Sequence, residues 1–131
     1  MSVQVNLANP TQTFDSSNDG IVIRNYVAGI VGGRSLDVTG FTEPTIKAGH
    51  VIIRDTETDV YKPMPVSGNA YASLPSNHEY VGVLRATILT SKPLASIMYS
   101  GEVNDVVCPY PVDTIKSALK EAIPTLVFMH D

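Results

Sequence analysis

The stretch that decides the fold is residues 80–104, YVGVLRATILTSKPLASIMYSGEVN. Its two parts, Tyr80–Leu84 and Leu94–Gly101, are rich in the β-branched, aromatic and aliphatic residues that fit a pleated, half-buried surface. A Lys92-Pro93 break separates the two parts. The sequence therefore predicts two β-strands, closed by a structural turn at Gly101, Glu102 and Val103.

The second of these strands has a two-residue alternation. Ala95, Ile97 and Tyr99 fall on one face, and the other face carries Leu94, Ser96, Met98 and Ser100. Alternation of this kind is typical of a strand with one face buried more fully than the other. We therefore predict that one of these two faces packs on the core more fully than the other.

The rest of the chain predicts short β elements joined by turns, because nine prolines and nine glycines are spread over 131 residues. Ile21–Val27 predicts a strand, and Thr125–Met129 predicts the last one. His50–Arg54 and Val60–Val66 predict a hairpin with an acidic tip. Pro63 and Pro65 place its second arm either at a sheet edge or in extended structure outside the sheet ladder. Ser67–Glu79 is predicted to be the longest loop.

One helix is predicted, near the C-terminus. It spans Thr114–Ala122 and has Asp113 as its N-cap. Its predicted buried face consists of four residues at helical spacing: Ile115, Ala118, Leu119 and Ala122. The fold class is therefore mainly β with one short C-terminal helix.

The amino-acid composition limits the classes of molecule that the protein is expected to bind. The net charge is −4 and no run of Lys or Arg occurs, which disfavours direct binding to nucleic acid or to an anionic membrane. A single cysteine, Cys108, excludes an intramolecular disulfide framework and a Cys-rich zinc site. The N-terminus has no pattern of a secretion signal, so we expect synthesis in a cytoplasm.

Residues 1–20 differ from the domain predicted at residues 21–131. Val3, Val5 and Leu7 alternate with polar residues, and Phe14 is the only large apolar side chain in the following polar segment. Two interpretations stay open. The segment is a disordered tail, or it is an extended arm whose apolar face adds to the sheet edge of another chain.

No group of residues predicts catalysis, a metal or a cofactor. Asp55, Glu57 and Asp59 alternate as at the start of a calcium loop, but the required glycine and glutamate are replaced by valines. The three histidines, His50, His78 and His130, are scattered and lack metal-ligand spacing. Cys108 has no neighbouring cation in sequence that would activate its thiol. We therefore expect the protein not to be an enzyme.

Several segments resemble proteins of tailed-phage heads. The pair Val81-Gly-Val-Leu and Pro93-Leu-Ala-Ser-Ile-Met-Tyr-Ser-Gly-Glu-Val-Asn resembles head decoration proteins. Arg34-Ser-Leu-Asp-Val-Thr-Gly-Phe and Ile46-Lys-Ala-Gly-His-Val-Ile-Ile are similar to head fibre proteins. The resemblance covers roughly residues 20–129.

The resemblance implies a compact domain of β-barrel or β-clip type that forms a homotrimer on the exterior of the capsid. Its expected function is that of a virion structural protein, a head decoration or head fibre subunit made in the host cytoplasm. The implied partners are the major capsid protein and other head or fibre proteins, without direct nucleic acid or membrane contact. By analogy, the N-terminal arm, with Val3, Val5, Leu7 and Phe14, would contact the capsid.

Three alternatives remain beside this expectation. The same fold could serve in a tail or baseplate. A small trimeric β-rich nucleotide hydrolase is an alternative from another class, but it would need a glycine-rich C-terminal arm, and the chain ends Leu126-Val-Phe-Met-His-Asp. A sugar- or peptide-binding module is poorly supplied with stacking residues, since the chain has no Trp.

Overall fold

The computed structural model describes residues 15–130, which are mainly β with two short helices. The helices are α1 (Asp19–Val22) and α2 (Lys116–Ala122). The strands are β1 (Ile23–Gly29), β2 (Arg34–Ser35), β3 (Thr45–Ile46), β4 (Val51–Asp55), β5 (Tyr61–Pro63), β6 (Val66–Ser67), β7 (Ala70–Tyr71), β8 (His78–Leu84), β9 (Ile88–Leu89), β10 (Leu94–Ala95), β11 (Ile97–Val103) and β12 (Leu126–Phe128). The predicted mainly β class with a short C-terminal helix is confirmed.

The main sheet has the strand order β1-β11-β8-β4-β5, and β12 pairs with β11 in parallel. β11 therefore contacts three strands, which makes the stretch around residues 80–104 the centre of the sheet. Three further pairs are small two-stranded sheets, β2 with β10, β3 with β9, and β6 with β7. The described sheets do not close into a barrel, which corrects the barrel form of the prediction.

The core lies on both faces of the main sheet. β4 shows the division, because Val51 and Ile53 join one apolar cluster while Ile52, which points the other way, joins a second. The helix-side core contains α2 and comprises Val22, Val51, Ile53, Met64, Tyr71, Val83, Met98, Val103, Val112, Ile115, Leu119, Ile123 and Leu126. The loop-side core comprises Leu36, Ile46, Ile52, Leu84, Ala95 and Ile97. Each large aliphatic side chain buried here contributes about 1.5–3 kcal/mol.

This two-sided burial also affects the alternation predicted for residues 94–101. Ser96 separates β10 from β11, and Ile97 and Met98 are both fully buried, in the loop-side and helix-side cores respectively. Tyr99, which was grouped with Ala95 and Ile97 on one face, is 41% exposed. A strand with core on both sides has no single buried face, so alternation does not identify one.

The C-terminal helix is shorter than predicted. It begins at Lys116, Ile115 occupies the N-cap position without a side-chain hydrogen bond, and Asp113 therefore does not cap it. Its buried stripe consists of Ile115, Leu119 and the following Ile123, at a spacing of four residues. Ala118 and Ala122 are exposed, so the buried face is narrower than predicted.

Two predictions about the middle of the chain have different outcomes. The hairpin of β4 and β5 is confirmed, and β5 with Pro63 forms an edge of the main sheet. The segment 67–79 is not a plain loop, because β6 and β7 form a small hairpin in which Val66 pairs with Tyr71. The buried Tyr71 ring anchors this hairpin on the helix-side core.

The chain enters the body before the predicted boundary at residue 20. Both carboxylate oxygens of Asp19 accept hydrogen bonds from Thr87, from its hydroxyl at 2.5 Å and its amide at 2.8 Å. Residues 19–22 form α1 rather than the start of a strand, and Val22 is buried.

Val3, Val5, Leu7 and Phe14, the residues of the predicted capsid-binding arm, lie outside the described residues. Within residues 15–130, neither helix has the length and apolar character to cross a bilayer.

Candidate functional site

The predicted turn at residues 101–103 is instead the point where three strands meet. Gly101, Glu102 and Val103 all lie in β11, and they pair with β1 on one side and with β12 on the other. Gly101 has φ +147°, and a Cβ at this position would lie 2.2 Å from the carbonyl oxygen of Asn25. The glycine is therefore required by the close approach of β1, not by a chain reversal.

Glu102 lies between two cross-strand neighbours in the sheet. It is in register with Asn25 on β1 and with Val127 on β12. Residues that oppose each other in neighbouring strands share a face of the sheet. Asn25 and Val127 are exposed and Glu102 is half-buried, so its carboxylate belongs to a solvent-facing part of the sheet.

An apolar surface lies at the β1 end of the sheet. β1 is an edge strand on which Tyr26 and Val27 are exposed, Val27 by 61%. The turn after β1 presents Val31, which is 92% exposed, and β10 presents Leu94, which is 63% exposed. Tyr26, Val31 and Leu94 line one open cleft of about 430 Å³. We call Tyr26, Val27, Val31 and Leu94 the apolar edge.

One cation lies beside the apolar edge. The guanidinium of Arg85 lies over the Tyr26 ring, 3.8 Å from its centroid. A cation over an aromatic face is attracted by the ring quadrupole, and this contact contributes about 0.5–1 kcal/mol at an exposed site. The arginine thereby fixes the Tyr26 ring while both groups stay open to solvent.

A second distinctive group surrounds His50, which is fully buried just before β4. Three aromatic rings, those of Phe41, Tyr71 and Tyr110, meet the imidazole edge-to-face with centroids 5.2–5.6 Å away. Nε2 of His50 lies 3.0 Å from the carbonyl oxygen of Met64. Burial lowers the pKa of His50 to about 4, so the ring is neutral at pH 7.

The other candidate groups have structural roles. Oδ1 of Asp55 accepts hydrogen bonds from the amides of Glu57 (2.8 Å) and Thr58 (3.2 Å), which holds its pKa below the usual value. The acidic hairpin tip is thus a backbone turn closed by a carboxylate. Burial raises the pKa of the Cys108 thiol to about 12, and this thiol donates to the carbonyl of Asn104.

Metal-binding clusters are not found in the described part of the chain. Between residues 15 and 130, no three or more His, Cys, Asp or Glu side chains come together as a metal site. His50, His78 and His130 contact different partners: Met64, Ser76 and Asp105. The described residues therefore form two distinctive groups, one exposed apolar surface and one buried aromatic cluster.

Sequence reasoning missed both of these features. The apolar edge combines residues 26–31 with residue 94, and the His50 cluster draws its rings from positions 41, 71 and 110. The one local signal was the position of His50 directly before the apolar run Val51–Ile53, which is typical of a buried histidine. Its aromatic neighbours are too distant in sequence to be inferred.

No protein-family model matches the chain, no curated protein matches it, and no solved structure matches the fold.

Proposed function

We propose that this chain is a virion structural protein, a head decoration or head fibre subunit that binds the outer surface of the capsid as a homotrimer. The proposal combines the sequence resemblance to tailed-phage head proteins with the surface chemistry of the fold. The observation that carries it is the apolar edge, with Val27 61% and Val31 92% exposed. Groups of large exposed apolar side chains are typical of surfaces that bind other proteins.

The apolar edge has the features of an assembly contact. β1 presents an unpaired strand edge within the described sheet, and such an edge readily accepts another chain. A stable interface buries about 800 Å² on each partner, with an apolar centre and a polar rim. The four residues of the apolar edge supply such a centre, and Arg85 and Asn25 beside it can supply part of the rim. Three copies related by a threefold axis close a ring of such contacts.

Replacing Val27 by Asp tests the contact. We expect the native chain to sediment as a trimer and Val27→Asp to sediment as a monomer, because the interface would bury an unpaired carboxylate. The monomer should keep the native circular dichroism spectrum, since Val27 lies outside both cores.

The matched control is Val106→Asp. Val106 is 68% exposed, close to the 61% of Val27, but it lies in the segment after β11. This variant should keep the trimer mass. A trimer that survives Val27→Asp would mean that the subunits contact through another surface.

Binding to the capsid is tested by co-sedimentation with heads assembled from the major capsid protein of the same genome. We expect native protein to pellet with the heads, and its failure to do so would contradict the proposed function. Binding to tails or baseplates instead would favour the alternative structural role. Incubation with a nucleotide panel tests the hydrolase alternative, and we expect no turnover.

A further inference from the structure

The proposed trimer needs two different surfaces on each copy. In a closed ring every subunit meets its neighbours head to tail, so one surface of a copy contacts another surface of the next copy. The apolar edge is one of these surfaces. Because Arg85 lies beside it, the second surface should offer apolar side chains together with a carboxylate.

Arg85 is available for such a contact. It is exposed, and its guanidinium lies over the Tyr26 ring. Among residues 15–130, no carboxylate forms an ion pair with it. A guanidinium is planar and has five N–H donors, so it can stack on a ring and still bind a carboxylate at its edge.

Glu102 on β11 is a carboxylate that is equally without a partner. Its side chain is half-buried, and it forms no ion pair and no hydrogen bond with another side chain of the described residues. Within residues 15–130, the buried side-chain atoms that lack a partner belong to His50, Arg54 and His78. The carboxylate of Glu102 is therefore open to solvent.

Exposed apolar side chains lie beside Glu102. Val127, its register partner on β12, is 46% exposed, and Met129 is 39% exposed. Residues two apart in an extended chain point to the same side, so Met129 extends the surface that Val127 begins. Within the described sheet β12 pairs with β11 alone, which leaves its outer edge open. We call Glu102, Val127 and Met129 the β12 face.

Within one copy, Arg85 and Glu102 lie on opposite faces of the sheet. Glu102 is in register with Asn25 and shares its face. Tyr26, which carries the guanidinium on its ring, is the next residue of β1 and points to the other face. An ion pair between Arg85 and Glu102 therefore needs two copies of the chain.

We propose that the β12 face of one copy packs on the apolar edge of the next copy, where the carboxylate of Glu102 pairs with the guanidinium of Arg85. The two surfaces have opposite charges, and their apolar side chains form the centre of the interface. The inference rests on the proposed trimer and names its second surface.

Exchange of the two charges tests the pairing, with sedimentation equilibrium as the measurement. Arg85→Glu and Glu102→Arg each place like charges opposite each other, and we expect each to raise the trimer dissociation constant at least about tenfold. The double variant has opposite charges at every contact again, and we expect it to regain most of the native affinity. Circular dichroism shows whether each variant is folded.

Glu121→Arg is the matched control. Glu121 is an exposed carboxylate on α2, and its replacement changes the net charge by the same amount as Glu102→Arg. We expect this variant to keep the native dissociation constant. Combined with Arg85→Glu, it should not restore the trimer, because the added cation lies outside the contact.

A milder pair of variants serves if Glu102→Arg does not fold. Arg85→Gln and Glu102→Gln remove the charges with little change of side-chain size. We expect the double variant to lose no more affinity than either single variant, because both changes remove the same ion pair.

Two results would overturn the inference while leaving the proposed trimer in place. A native trimer that neither single exchange weakens would show that the two charges lie outside the contact. Losses that add in the double variant would show that each charge contacts a different group. A native chain that stays monomeric would instead contradict the proposed trimer itself, and this contact with it.

Discussion

At the scale of single residues, the closest backbone packing in the described sheet involves glycines of the central strands. Gly82 in β8 is one of them, and a Cβ there would lie 2.3 Å from the carbonyl oxygen of Met98 and 3.0 Å from Cγ2 of Ile97. The obstacle is the backbone of β11, which cannot move without disturbing the centre of the sheet.

We therefore predict that Gly82→Ala lowers the free energy of unfolding by about 1–3 kcal/mol, the usual cost of overpacking a core. Urea denaturation followed by circular dichroism measures the loss. Gly20→Ala is the control, because nothing lies within 4 Å of its added Cβ in the helix α1. This control should be neutral or stabilising by up to about 1 kcal/mol. Equal stability of the two variants would contradict the packing of β8 on β11.

At the scale of elements, α2 contributes mainly through one side chain. Leu119 is fully buried in the helix-side core, in the middle of the stripe between Ile115 and Ile123. Short isolated helices are unstable in water, so a helix of this length depends on its contact with the sheet. The packing of Leu119 against the sheet, rather than a capping residue, therefore stabilises α2.

We predict that Leu119→Ala lowers the free energy of unfolding by about 2–5 kcal/mol, the range for a large-to-small change in a core. Asp113→Ala is the control. A true N-cap would lose about 1 kcal/mol, whereas Asp113 should lose less than about 0.5 kcal/mol because it makes no capping bond. Thermal denaturation of both variants decides between the packing and the capping accounts of this helix.

At the scale of the whole molecule, the buried His50 links stability to pH. Its folded pKa of about 4 lies below the ordinary value of 6.5. Between these two values the unfolded chain takes up a proton that the folded chain does not, so acidification favours unfolding. Below about pH 4 both states are protonated, and His50 causes no further loss.

We predict that the free energy of unfolding falls by about 1.4 kcal/mol for each pH unit between pH 6.5 and pH 4 through His50 alone. Urea titrations at several pH values measure the slope for the native chain and for His50→Gln. The variant lacks the titrating group and should have a flatter profile over this interval. Parallel profiles would mean that His50 takes up its proton over the same pH range in the folded and the unfolded chain.

Much of the fold was predictable because its signals are local. Strand-forming residues around a Lys92-Pro93 break marked the two central segments, and the prolines after Val60 placed β5 at an edge. The C-terminal helix followed from its apolar spacing. Its cap was not predictable, because the choice between Asp113 and Ile115 depends on where the helix meets the sheet.

The sequence by itself determined the mainly β class, the β4–β5 hairpin and the position of the last helix, since these follow from residue preferences over a few neighbouring positions. Only the tertiary structure decided that β1 and β12 both pair with β11 and make residues 101–103 a three-strand junction. It also decided that Phe41, Tyr71 and Tyr110 surround His50. These contacts join positions that are tens of residues apart in sequence. They form because apolar side chains are buried on both faces of one sheet, and a pattern of neighbouring residues carries no information about such long-range contacts.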